Sequence, residues 1–149
     1  MNTSVEPSRR ITEQLHSYWK KIKGKRHFPA ESEVNPDALK DIWDNCFLID
    51  VSAFGGTEGF RYAYLGSNLI EAYGDQLTEE EAIHLISTDN EEVVGKIKQV
   101  LRSKAPLSID SQFTNSSNIE IRFREILLPL GTDDSKVEYI IGAMRWKAF

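Results

Sequence analysis

The stretch from Phe47 to Gly74 constrains this chain most. A strand-like run, Phe47-Leu-Ile-Asp-Val51, meets a glycine-rich turn, Gly55-Gly-Thr-Glu-Gly59, and continues as Phe60-Arg-Tyr-Ala-Tyr-Leu-Gly66. Ser67-Asn-Leu-Ile-Glu-Ala-Tyr-Gly74 follows at once, a short helix that Ser67 or Asn68 can cap and Gly74 can close. A hairpin that feeds directly into a helix predicts a small α+β domain, because a parallel-sheet enzyme would place a helix between its first two strands. The run from Cys46 to Ser52 is apolar at nearly every position except Asp50, which predicts a strand covered on both faces. Period-two alternation puts Phe60, Tyr62 and Tyr64 on one face of the second strand.

The flanking segments complete the pattern. Residues 1–10 are short, polar and aperiodic, and are expected to be a flexible start. A first helix is predicted from Thr12 to Lys23, stopped by Gly24, with Leu15, Tyr18, Trp19 and Ile22 forming one apolar stripe. Such a stripe is ordinarily core, but on a helix outside the main domain it can also meet a second copy. Pro36 to Trp43 reads as a short helix capped by Asn35. Thr78-Glu-Glu-Glu81 is a capping box before another short helix. Asn90 to Ser103 gives the longest interior helix, buried through Val93, Val94, Ile97, Val100 and Leu101, and Pro106 marks its end. Three strands close the chain: Leu107 to Thr114, Ile119 to Leu130 and Val137 to Lys147, joined by the polar turns Asn115–Asn118 and Gly131–Ser135.

Length and composition narrow the function classes. A chain of 149 residues fits one domain with a real core. No apolar run approaches the roughly 20 residues that cross a bilayer, and neither a secretory leader nor a disulfide is expected with this N-terminus and a single cysteine. A cytoplasmic setting without membrane insertion is the expectation. Residues 1–30 carry seven Lys/Arg against Glu6 and Glu13, while the remainder carries 11 Lys/Arg against 21 acids. The basic segment Lys20 to His27 is a possible footprint for nucleic acid or anionic lipid, but cations at a helix C-terminus complement its dipole, and an acidic body repels polyanions. Nucleic acid is therefore not the expected partner.

The order strand, strand, three helices, three strands resembles the PAS fold. Tyr18-Trp19, Phe28-Pro29, Asn35-Pro36, Phe47-Leu-Ile-Asp-Val51, Phe60-Arg-Tyr62 and Leu65-Gly66 together resemble the single-domain PAS-like family common in alphaproteobacteria. One departure is the turn after Gly74, where Leu77-Thr78 is followed by Glu79 instead of glycine. The resemblance implies a five-stranded antiparallel sheet of order 2-1-5-4-3 with helices over one face and an N-terminal helix. It implies flexible residues 1–10, a helical extension over 11–44 and the PAS-like domain over 45–149. It further implies a non-catalytic bacterial regulatory module in cytoplasmic signalling, binding a small molecule, a partner protein or itself as a dimer.

An internal pocket would draw on Phe47, Ile49, Tyr62, Tyr64, Leu69, Tyr73, Ile97, Phe113, Phe123, Met144 and Trp146. Bulky side chains can equally fill that space, and a one-residue register error exchanges the inward and outward sets. An interface would use Leu15, Tyr18, Trp19 and Ile22. Cys46 opens a strand and reads as a buried thiol, unlike the helical cysteine of flavin-binding relatives. His84 lies where haem-binding relatives place an axial ligand, yet one histidine makes no haem pocket. Neither cofactor is predicted, a small apolar ligand remains open, and His16, His27 and His84 lack metal-site spacing. No phosphate loop, nucleophile elbow or His-Glu pair is present, so no catalytic residue is assigned. Asp50 either bonds its own turn or pairs with Arg61 or Arg145. A small acid–base enzyme with a buried carboxylate in the pocket is the alternative reading.

Overall fold

Strand pairing is where this chain commits to its architecture. In the computed structural model, which describes residues 11–54, 59–87 and 91–149 apart from the side chain of Ser87, five antiparallel strands form one sheet. They are β1 (Cys46–Asp50), β2 (Arg61–Leu65), β3 (Leu107–Thr114), β4 (Glu120–Leu130) and β5 (Tyr139–Ala148), in the order β2-β1-β5-β4-β3. The expected flexible start at 1–10, most of the glycine turn and the helix start at Asn90 lie outside the described residues. Helices α1 (Ile11–Lys23), α2 (Ser67–Tyr73), α3 (Glu79–Ser87) and α4 (Glu91–Ser103) surround the sheet.

Local chemistry explains the boundaries. Gly24 stops α1 with φ +59°, a value that suits glycine because a side chain there is strained. The backbone N–H of Glu81 donates to Thr78 Oγ1 at 3.1 Å and that of Thr78 donates to Glu81 Oε1 at 2.9 Å, the reciprocal box the sequence predicts. The segment before β1 differs from the expected helix. It forms short 3-10 turns at Pro36–Leu39 and Trp43–Asn45, with Asn35 accepting from the Asp37 N–H. Asn35 is a good cap, but four residues make a single turn, too short to propagate an α-helix.

Register assigns the two faces. Phe47 pairs with Gly142 and Gly142 with Leu127, so these share one face with Ile49, Glu125 and Met144. Leu48 pairs with Ile141 and Ile141 with Leu128, so these share the other. Helices α2 and α4 lie on the first, inner face. Helix α1 covers the outer face of β4 and β5. Leu15 (0% exposed) and Trp19 (3%) are buried there, and the Trp19 indole N–H donates to the Pro129 carbonyl at 2.8 Å. Full burial of one such side chain is worth about 1.5–3 kcal/mol. β1 lies inside the sheet between β2 and β5, with Phe47 and Ile49 buried on the inner face and Leu48 half-buried on the outer one.

Candidate functional site

Between the inner sheet face and α2, α3 and α4 lies a small hollow of about 30 Å³. Phe47, Ile49, Tyr62, Leu69, Tyr73 and Met144 line it, together with Leu65, Ile86, Val93, Lys96, Glu125 and Leu127. Glycine makes room for part of this wall, since a Cβ on Gly142 would stand 2.1 Å from Cζ of the Phe47 ring. A water needs about 10–15 Å³ of such space, so the hollow holds roughly two waters. It is far below the roughly 300–1,000 Å³ of sites for drug-sized ligands.

The remaining predicted pocket residues stand elsewhere. The pairs Leu48–Tyr64 and Ile49–Tyr62 leave Ala63 without a partner. This bulge turns Tyr64 to the opposite face from Tyr62, because one extra residue reverses the alternation. Tyr64 stacks on Trp43 at 4.6 Å between ring centroids and donates its hydroxyl to the Trp43 carbonyl at 2.9 Å. Burial, and after it the charge of Asp44, pushes its phenol up to about 12. Trp146 donates its indole N–H to the Asn68 carbonyl at 2.7 Å, tying β5 to α2. Ile97 is fully buried in the packing of α4. Phe113 and Phe123 line an adjoining open cleft of about 780 Å³ with Glu91 and Glu92.

Tyr73, Val93 and Lys96 border both spaces, so the wall between hollow and cleft is made of side chains. Tyr73 is held by the β3–β4 turn. Asn115 Nδ2 donates to the Ala72 carbonyl at 3.1 Å and Ser116 Oγ to the Tyr73 carbonyl at 2.8 Å, satisfying the end of α2. The Tyr73 ring then stacks on Phe113, with centroids 4.8 Å apart.

Two polar residues of this wall were not singled out from the sequence. Glu125, 5% exposed, forms an ion pair with Lys96, whose side chain is 18% exposed. The same ammonium lies 5.3 Å from the centroid of the Phe123 ring. Two signals were available. Glu125 interrupts the apolar parity of Ile121 and Phe123 in β4, and Lys96 sits three residues after Val93 on the buried side of α4. Two tyrosine hydroxyls share the environment. Burial first, then Tyr73 and Glu125, holds the Tyr62 phenol well above its ordinary value. Burial, then the charges of Glu125 and Glu92, raises Tyr73 likewise.

Other candidates resolve to local roles. Cys46 is fully buried, donates its thiol to the Ile42 carbonyl at 3.3 Å, and is pushed up to about 12 by burial and the Asp44 charge. Asp50 accepts from Ser52 Oγ at 2.6 Å and from Arg61 at 3.1 Å, contacts that hold its carboxyl below the usual range. His84 is exposed on α3 and does not line the hollow. In the basic segment, Arg26 forms a bidentate pair with Glu33, and Lys23 bonds the Gly24 and Arg26 carbonyls.

A five-stranded antiparallel sheet in this order, with helices enclosing a hollow on one face, defines an α+β fold of the PAS type. The chain matches the PAS domain family over residues 8–145 and belongs to it. Solved structures agree on the fold. The LOV protein of Rhodobacter sphaeroides is 14% identical at a TM-score of 0.50, with 70% of this chain and 59% of that one covered. The LOV domain of the blue-light photoreceptor Aureochrome1 is 11% identical at 0.52, covering 76% and 80%. The PAS domain of the fruit-fly ELK potassium channel is 12% identical at 0.51, covering 78% and 98%. No curated protein matches the chain.

Proposed function

We propose that this chain is a non-catalytic sensory module of cytoplasmic signalling, in which a small molecule entering the inner hollow is the input. The observation that carries this reading is a buried ion pair and two tyrosines lining a hollow that shares Tyr73, Val93 and Lys96 with an adjoining cleft. Buried polar groups cost free energy unless partnered, and a hollow that keeps them is a poor choice for stability alone. We assign the output to contact with a partner protein or a second copy, with 11–44 acting as an extension over the domain at 45–149. Leu15 and Trp19 are taken up by the chain's own sheet, so Tyr18 and Ile22, both half-buried, are the parts of the α1 stripe left to such a contact.

Native mass spectrometry of protein purified from its own cells tests both halves. A small-molecule adduct lost on activation, or a mass twice that of the chain, supports the reading. Only bare monomer, with no change on adding a cell metabolite extract, sinks it. One observation favours the enzyme alternative: Glu125 is a buried carboxylate beside a hollow. Its pairing with Lys96 and the lack of room for substrate weigh against it, and turnover of any metabolite abolished by Glu125→Gln would reinstate it.

A further inference from the structure

The ammonium of Lys96 reveals what the site is built to receive. It stands on the Glu125 carboxylate and against the face of Phe123, in the manner of a ligand cation held by a counter-charge and an aromatic ring. The surroundings extend that preference outward. Phe113 lies 5.9 Å from Phe123 and stacks on Tyr73, so three rings run side by side from the hollow into the cleft. Glu91 and Glu92 line the cleft, and among the described residues lining either space Lys96 is the one cation, against three glutamates.

Resting on the small-molecule reading above, we infer that the ligand is a small organic ammonium, which takes the place of the Lys96 head on Glu125 and lays its apolar part on Tyr73, Phe113 and Phe123. A carboxylate ligand would face three like charges. A neutral one would leave Glu125 buried and unpaired once Lys96 moved aside. An ammonium keeps Glu125 partnered and frees Lys96 to swing into the cleft, where Glu91 and Glu92 receive it. Lys96 is thus a tethered competitor. Its departure loosens α4 from β4, which converts occupancy into movement of a helix.

The test uses the full chain and three probes at constant ionic strength: n-butylammonium, which carries lysine's own head and stem, n-butanol and butyrate. Binding is read by amide chemical shifts and calorimetry. The expected result is saturable binding of n-butylammonium alone, with shifts centred on Lys96, Phe123 and Glu125. Lys96→Met removes the tethered competitor, and the ammonium is expected to bind it about tenfold tighter or better. If that variant fails to fold, Phe123→Leu keeps the ion pair and is expected to weaken n-butylammonium while leaving the two other probes unchanged. Equal binding of butanol or butyrate in the hollow overturns the ammonium preference and leaves the small-molecule reading standing. No shift with any probe to about 100 mM, a range that covers even affinities weaker than −4 kcal/mol, overturns the inference; bare monomer in the native mass spectrum then removes the underlying reading as well.

Discussion

On the outer face of the sheet, α1 brings Leu15 and Trp19 over a surface carrying Ile126, Leu128 and Ile141, all nearly inaccessible to solvent. On the inner face, α2 and α4 close over Tyr62, Glu125 and Met144 but leave a hollow beside a buried ion pair. Both faces are helix-covered, so coverage alone does not decide whether a core is dry. Composition of the strand face decides it. Beneath Leu15 and Trp19 the outer face offers aliphatic side chains and one indole N–H with a carbonyl to meet, whereas the inner face carries a carboxylate paired with a lysine and two phenols beside the hollow.

The largest expected effect would break this contrast. Trp19→Ala empties the dry face and removes the bond to Pro129, and should cost about 3–5 kcal/mol in urea denaturation. A loss under about 1 kcal/mol would mean that α1 is a detachable appendage and the outer face is not core. On the inner face, Lys96→Met should cost about 3 kcal/mol, because Glu125 is left buried without its partner, while Lys96→Met combined with Glu125→Met should recover most of that. If the double variant is no better than the single, the polar pair is not what distinguishes the inner face. Gly142→Ala forces a Cβ against the Phe47 ring and should cost about 1–3 kcal/mol, with line broadening of hollow residues in NMR spectra. Thr78→Ala removes the α3 cap and should cost about 1 kcal/mol, measurable as faster amide exchange confined to the first turn of α3.

The smallest effect lies outside both faces and serves as a baseline. Hydrogen bonds from Arg26 and the Ala30 N–H hold the Glu33 carboxyl at about 2, below its ordinary 4.5. A lowered folded-state value means that this contribution is present above pH 4.5 and is lost as the pH falls toward 2. Carbon-detected NMR titration should find the Glu33 midpoint near 2, moving back toward 4.5 in Arg26→Gln.

Much of the fold was legible in the residues. The capping box at Thr78 and Glu81, the Gly24 stop and the alternation of β3 and β4 are local signals, and each element formed within a few residues of its expected bounds. Leu15, Tyr18, Trp19 and Ile22 read as an apolar stripe for the same reason. The site was legible in part. Phe47, Ile49, Tyr62, Leu69, Tyr73 and Met144 meet at the hollow, while Tyr64, Phe113, Phe123, Ile97 and Trp146 do not. Alternation puts Tyr62 and Tyr64 together, and only pairing with β1 exposes the bulge at Ala63 that separates them.

Apart from the 3-10 turns before β1, the amino-acid pattern by itself determined which segments are strands and helices and the order in which they come, because side-chain periodicity and caps act over a few residues. Tertiary structure alone decided which face each residue serves, that α1 lies on its own sheet, and that Lys96 of α4 meets Glu125 of β4. Those outcomes depend on strand register and on elements far apart in the chain, where the exclusion of water from a shared interior selects one arrangement among many that the local pattern permits.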